Sequence, residues 1–150
     1  MQNQTAAIHA GYDNSQGNGT MSVPISQTTA YAFRDSEHAA NLFALKELGP
    51  IYTRLTNPTT DVLEQRYAAL EGGAGAICVA SGQAAIFYAI VNVAVAGDNI
   101  LISDKLYGGA VTLLTHTIKR FGINAKVFNS SDASDLEEQI DENTKAIFFE

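Results

Sequence analysis

Cysteine, histidine and positive charge are scarce in this chain of 150 residues. Its single cysteine, Cys78, excludes an internal disulfide framework. That residue sits in the apolar run Ala76-Ile77-Cys78-Val79-Ala80, which reads as a buried strand with a structural thiol, not as a nucleophile site. The three histidines, His9, His38 and His116, have no metal-ligand spacing to one another or to Cys78, so no metal centre is expected. Lys and Arg number 9 against 16 Asp and Glu, for a formal net charge of −7. Such a balance excludes a phosphate-backbone partner, because nucleic-acid binding needs clustered cations. Long hydrophobic runs are also missing. The longest, residues 84–96, is interrupted by Asn92 and is too short to span a bilayer. The start, Met1-Gln2-Asn3-Gln4-Thr5, lacks the basic end and apolar stretch of a signal peptide. A cytoplasmic chain without membrane or nucleic-acid contacts is the expectation.

What is present follows two grammars. Residues 1–56 are rich in Gln, Asn, Thr and Gly, with stretches such as Asp13-Asn14-Ser15-Gln16-Gly17-Asn18-Gly19-Thr20 that carry no periodicity. This part reads as an extended arm with one helix over residues 36–48, Ser36 as its N-cap and Gly49-Pro50 as its stop. An arm of this kind cannot bury itself and is expected to pack on a neighbouring subunit. Residues 57–150 alternate helix and strand. Asn57-Pro58 opens a helix that Gly72-Gly73 ends, and short apolar strands are expected over 76–80, 99–103, 125–128 and 146–149. Between them lie helices over 83–95 and 109–121, and a capping box Ser134-Asp135-Leu136-Glu137. Short, wholly apolar strands alternating with helices specify an α/β domain, a mostly parallel sheet with helices on both faces. The chain ends at the tip of a strand, Phe148-Phe149-Glu150, which reads as the first part of a larger cofactor domain.

In a parallel sheet, ligands gather at the carboxyl ends of the strands. Ala80-Ser81-Gly82-Gln83-Ala84 joins an apolar stretch directly to a helix, whose orphan N–H groups and dipole favour an anion. Ser81 adds a hydroxyl there and Gly82 permits close approach. Tyr107-Gly108-Gly109 follows the next strand and lies at the same edge, where an aromatic ring can stack on a planar ligand. Tyr52 and Arg54 alternate in what reads as an extended segment, a phenol beside a guanidinium fork suited to phosphate. Gly72-Gly73-Ala74-Gly75 lies at the opposite edge and lacks nucleotide-loop spacing, so it reads as a helix stop and turn.

Taken in order, Tyr52-Thr53-Arg54, Asn57-Pro58-Thr59, Leu70-Glu71-Gly72-Gly73, Ser81-Gly82 and Tyr107-Gly108-Gly109 resemble the Cys/Met-metabolism family of pyridoxal-phosphate enzymes over essentially the whole chain. Within it, Ala39-Ala40-Asn41-Leu42-Phe43-Ala44-Leu45 and Ala80-Ser81-Gly82-Gln83-Ala84-Ala85 look like the O-acetylhomoserine sulfhydrylase branch; the lyases usually carry methionine where Gln83 stands. The resemblance implies the aspartate-aminotransferase-like fold (fold type I) and a homotetramer of dimers that share active sites. It implies pyridoxal 5′-phosphate as cofactor, its phosphate held by Ser81, Gly82 and Gln83 of one subunit and by Tyr52 and Arg54 of the neighbour. Tyr107 would stack on the pyridine ring and assist proton transfer. The implied reaction is a γ-replacement in which sulfide or a thiol displaces acetate from O-acetyl-L-homoserine, giving homocysteine or methionine.

The family's cofactor-bearing lysine and its aspartate would lie beyond Glu150, and Lys46, Lys105, Lys119, Lys126 and Lys145 match no such motif. The 150 residues alone are therefore expected to be inactive. Competing readings are a methionine γ-lyase or cystathionine γ-synthase of the same family, and a non-catalytic module that binds a phosphorylated ligand. A nucleotide-dependent oxidoreductase lacks its glycine fingerprint here.

Overall fold

A computed structural model describes residues 2–15, 18–132, 134 and 136–150. The chain forms two compact units, residues 1–78 and residues 79–150.

The first unit contains α1 (Asn3–His9), α2 (Ser36–Phe43) and α3 (Pro58–Glu71). Helix α3 starts and stops on its sequence signals. Asn57 Oδ1 accepts the Thr59 N–H at 2.9 Å, Pro58 occupies the first turn, and Gly72 closes the helix at φ 66°. Helix α1 was not foreseen. Its residues carry no clear periodicity, and it exists by packing on α3: Ala6 is buried, and Arg66 Nε donates to the Ala10 carbonyl at 2.9 Å. Gly11 comes so close to α3 that a Cβ there would lie 2.7 Å from the Val62 carbonyl oxygen. Helix α2 departs from expectation at both ends. Its N-cap is Asp35, not Ser36, with Asp35 Oδ1 accepting the His38 N–H at 2.7 Å. It stops at Phe43 because Leu45 turns to φ 54°, which lets the Lys46 and Glu47 N–H groups both close onto the Asn41 carbonyl.

Within this unit the arm is pinned rather than loose. Ala30 pairs antiparallel with Tyr52, and Thr53 N–H donates to the Thr29 carbonyl at 2.9 Å. Asn57, only 6% exposed, supports the same place from beneath. Its Nδ2 lies 2.9 Å from the Ser26 carbonyl, 3.1 Å from the Tyr31 hydroxyl and 3.2 Å from Thr53 Oγ1. One amide thus joins the residues before α2 to the Tyr52–Arg54 stretch.

The second unit contains α4 (Gly82–Val93), β1 (Asn99–Ser103), α5 (Gly108–Thr112), β2 (Asn124–Phe128), α6 (Leu136–Gln139) and β3 (Thr144–Phe148). Helix α5 continues through a π-helical turn, Leu113–Thr117, and a 3₁₀ turn, Ile118–Phe121, that Gly122 ends at φ 79°. The three strands are parallel in the order β2-β1-β3. Register puts Ala125, Ile100 and Ala146 in one row and Ile102 beside Phe148 in the next, all on one face. That face packs on Ile90 and Ala94 of α4 and on Leu114 and Ile118 of the helical stretch, forming the main core. The opposite face, with Phe128 and Ile147, meets Leu136 of α6 around a cavity of about 490 Å³. At the amino ends of the strands, Asn99 Nδ2 and Lys126 Nζ donate to the two oxygens of Asp141 at 2.9 and 2.6 Å, and Thr144 Oγ1 donates to Asn99 Oδ1 at 2.8 Å.

One expected strand is missing. Residues 76–80 form no ladder, and Ile77 is 86% exposed. Among the described residues no strand runs alongside them, and the Cys78 N–H donates instead to Glu64 Oε1 at 2.7 Å. Cys78 is accordingly half-buried rather than buried. Of the expected capping box, Asp135 lies outside the described residues. None of the described helices is long and apolar enough to cross a membrane.

Candidate functional site

The amino terminus of α4 has the form of an anion cradle. Ser81 takes an extended conformation as N-cap, and its Oγ accepts the Ala84 N–H at 3.1 Å. The Ala85 N–H is satisfied by the Ser81 carbonyl at 3.0 Å. The N–H groups of Gly82 and Gln83, at the first two helical positions, have no intrahelical acceptor. A Cβ at Gly82 would meet nothing within 4 Å, so the backbone is open to close approach. A twelve-residue helix adds its dipole to these donors.

Tyr107 meets this cradle. The loop that carries it leaves β1 and is held against the end of β2. Asp104 Oδ1 accepts from Ser130 Oγ at 2.7 Å and from Ser130 N at 2.9 Å, and Lys105 Nζ bonds Ser131 Oγ. The Ser130 hydroxyl, followed by its backbone N–H, keeps the Asp104 carboxyl below the usual carboxylate range. Tyr107 is the N-cap of α5 and is 70% exposed, so its ring is available for stacking. A Cβ at Gly109 would lie 2.7 Å from Tyr107 Cε1 and 3.1 Å from Gln83 Nε2. The tyrosine ring and the Gln83 amide therefore both flank the bare backbone of Gly109. Gln83 and Tyr107, far apart in sequence, are thus brought to either side of Gly109, although no strand precedes Ser81.

In the first unit, Tyr52 and Arg54 act as a pair, though not in the form expected. Residues 52–56 are a turn, not an extended strand: the Leu55 and Thr56 N–H groups both donate to the Tyr52 carbonyl, at 2.8 and 3.0 Å. The turn still brings the side chains together, with the Arg54 guanidinium carbon 5.2 Å from the centre of the Tyr52 ring. Arg54 is exposed and has no ion-pair partner among the described residues, so its fork is free for an anion.

These features fit a flat, phosphorylated cofactor: open helix-terminal N–H groups, a capping hydroxyl, a glycine without obstruction and an exposed aromatic plate. A model of the family described as Cys/Met metabolism PLP-dependent enzyme matches residues 4–150. The chain belongs to this family of pyridoxal-phosphate enzymes. It is 45% identical over 147 residues to the O-acetyl-L-homoserine sulfhydrylase of Leptospira meyeri, covering 98% of this chain and 33% of that protein. Among solved structures, a candidate O-acetylhomoserine (thiol)-lyase from Campylobacter jejuni superposes with a TM-score of 0.92 at 53% identity, covering 99% of this chain and 36% of that one. That structure carries N′-pyridoxyl-lysine-5′-monophosphate at its position 205. The cystathionine γ-lyase of Lactobacillus plantarum, complexed with L-serine, superposes at 0.85 with 30% identity, covering 99% of this chain and 36% of that one. The chain thus spans about a third of the length of the relatives it matches. Its fold is the α/β, fold type I architecture of this family, and the cofactor of the family is pyridoxal 5′-phosphate.

Two residues, one in each unit, have contacts that the sequence did not single out. Glu150 accepts the Tyr107 N–H at Oε2, 2.7 Å away. A carboxylate directly after an apolar strand, at the ligand edge, is the signal that points to it. Asn57 was legible as a cap only; its ties to Ser26, Tyr31 and Thr53 depend on chain folding that no local pattern encodes. Of the five lysines, three are engaged elsewhere: Lys126 with Asp141, Lys105 with Ser131, and Lys145 with the Glu142 carbonyl.

Proposed function

We propose that the protein to which this chain belongs is an O-acetylhomoserine sulfhydrylase. It replaces the acetate of O-acetyl-L-homoserine with sulfide or a thiol, giving homocysteine or methionine. The observation that carries this reading is the meeting of Gln83 and Tyr107 over Gly109, beside the Ser81-capped terminus of α4. Identity is also higher to the O-acetylhomoserine (thiol)-lyase structure than to the cystathionine γ-lyase structure, 53% against 30%.

In this reading the Gly82 and Gln83 N–H groups and the Ser81 hydroxyl hold the cofactor phosphate. The Ser81 oxygen is occupied as acceptor by Ala84, which leaves its hydrogen to donate to a phosphate oxygen. Tyr107 lays its ring against the pyridine and moves a proton at its phenol oxygen. When bound, pyridoxal phosphate supplies an electron sink for charge developing on the substrate carbon. Arg54, steadied by the Tyr52 ring, reaches the phosphate of a neighbouring subunit, so that sites are shared across dimers of a homotetramer. The first 56 residues serve as the arm of that contact, offering exposed apolar side chains such as Met21, Ile25 and Leu48. The setting is cytoplasmic.

Incubating the full-length protein with O-acetyl-L-homoserine and sulfide tests the assignment, with methionine alone as the comparison. Homocysteine and acetate are the expected products. Ammonia and a keto acid from methionine, without homocysteine from the acetyl ester, would show a γ-lyase instead.

A further inference from the structure

We infer that Glu150 is a positioning residue for Tyr107, holding the aromatic plate beside Gln83 by fixing its backbone. This rests on the reading of Tyr107 given above and adds to it the group that keeps the ring in place.

Tyr107 precedes the first turn of α5, so its own N–H stands outside the helix and has no acceptor there. Glu150 Oε2 takes that N–H at 2.7 Å, a distance typical of bonds with a charged acceptor. Glu150 follows β3, whose Phe148 is in register with Ile102 near the end of β1. The loop bearing Tyr107 leaves from that same end of β1. The bond therefore closes the loop against the sheet, tying the ends of two adjacent strands across the ligand edge. On the other side, the ring and the Gln83 amide leave no room for a side chain at Gly109, where a Cβ would sit 2.7 Å from the ring. The core does not hold this ring, which is 70% exposed. Its position is set by the tether at its backbone and by the Gly109 surface beneath it. Catalytic groups displaced by fractions of an ångström lose rate steeply, so the tether has a functional readout.

The test uses the full-length enzyme with its cofactor, comparing Glu150→Ala, Glu150→Gln, Tyr107→Ala and the Glu150→Ala/Tyr107→Ala double variant. The visible circular dichroism of bound pyridoxal phosphate, kcat, KM and melting temperature are measured for each. Glu150→Ala is expected to lower kcat about tenfold, the scale of one charge-assisted hydrogen bond, with KM changed far less. The dichroic band weakens with it, while the melting temperature stays near that of the parent. Glu150→Gln keeps a neutral acceptor oxygen and loses only about threefold; it carries the test if the alanine variant does not fold. In the Tyr107→Ala background, Glu150→Ala is expected to cost nothing more, because the two act as one unit. A parent-like dichroic band and kcat in Glu150→Ala or Glu150→Gln, with Tyr107→Ala impaired, would overturn the proposal. Losses that simply multiply in the double variant would overturn it as well. If Tyr107→Ala itself matches the parent, the stacking role of Tyr107 is wrong and the tether falls with it.

Discussion

Gly109 shows how a single missing side chain can shape a site. It lies between the Tyr107 ring and the Gln83 amide, with clearances of 2.7 and 3.1 Å to a hypothetical Cβ. Under the proposed roles, relief by moving the ring would spoil its stacking, and relief by moving Gln83 would disturb the amino terminus of α4. Gly109→Ala is therefore expected to weaken pyridoxal-phosphate retention about tenfold, with little loss of fold because α5 accepts alanine readily. Dialysis of the full-length variant, followed by titration with the cofactor, measures it. Unchanged retention would mean that ring and amide are not both needed where they stand. The helix starts at Ser81 and Tyr107 were legible, since an N-cap serine and glycines after an apolar run have local causes, although the strand expected before Ser81 did not form. The obligate emptiness at Gly109 was not, because it depends on two side chains arriving from different elements.

At the scale of elements, the best-read segments are those whose ends are written in local chemistry. Helix α3 has Asn57, Pro58 and Gly72; β1, Asn99–Ser103, is built on the apolar run Ile100-Leu101-Ile102 and is found with the expected bounds. Helix α1 was invisible, since it depends on α3 for its stability, and the expected strand over 76–80 did not form because a strand needs a neighbour. The turn at residues 52–56 was misread as extended, for alternation of Tyr52 and Arg54 does not report that one carbonyl will take two N–H groups. Asn57 links these elements, capping α3 while its Nδ2 serves three acceptors. Asn57→Ala removes the cap and the amide's bonds to Ser26 and Tyr31, while the Thr53 hydroxyl keeps its bond to the Thr28 carbonyl. A loss of about 2–3 kcal/mol is expected from the cap and one or more further buried bonds. Urea unfolding of the full-length protein measures the effect, and a change under about 0.5 kcal/mol would show the network to be incidental.

For the whole molecule, two outcomes separate assembly from stability. Mixed dimers of Arg54→Ala and Tyr107→Ala subunits should regain activity, because each hybrid contains one site with both residues intact. No recovery on mixing would mean that Arg54 serves its own subunit. The second outcome concerns acid. The Lys126 ammonium, and after it the Asn99 amide, hold the Asp141 carboxyl well below its ordinary value of 3.8. A carboxylate depressed in the folded state adds stability above its unfolded value, and that share is lost as pH falls through the folded one. Asp141→Asn should therefore lower the melting temperature at neutral pH and flatten its decline below about pH 4. Parallel acid profiles for parent and variant would remove this carboxylate from the account.

The cluster of Asn99, Lys126, Asp141 and Thr144 fastens the three strands at their starting ends, whereas Tyr107 and Glu150 stand beyond their finishing ends. Firmness at one pole frees the other for variation: loops there can be exchanged without unseating the frame beneath. Substitutions at the starting margin are thus expected to move melting behaviour, and substitutions at the finishing margin to move cofactor retention, as nearly independent quantities.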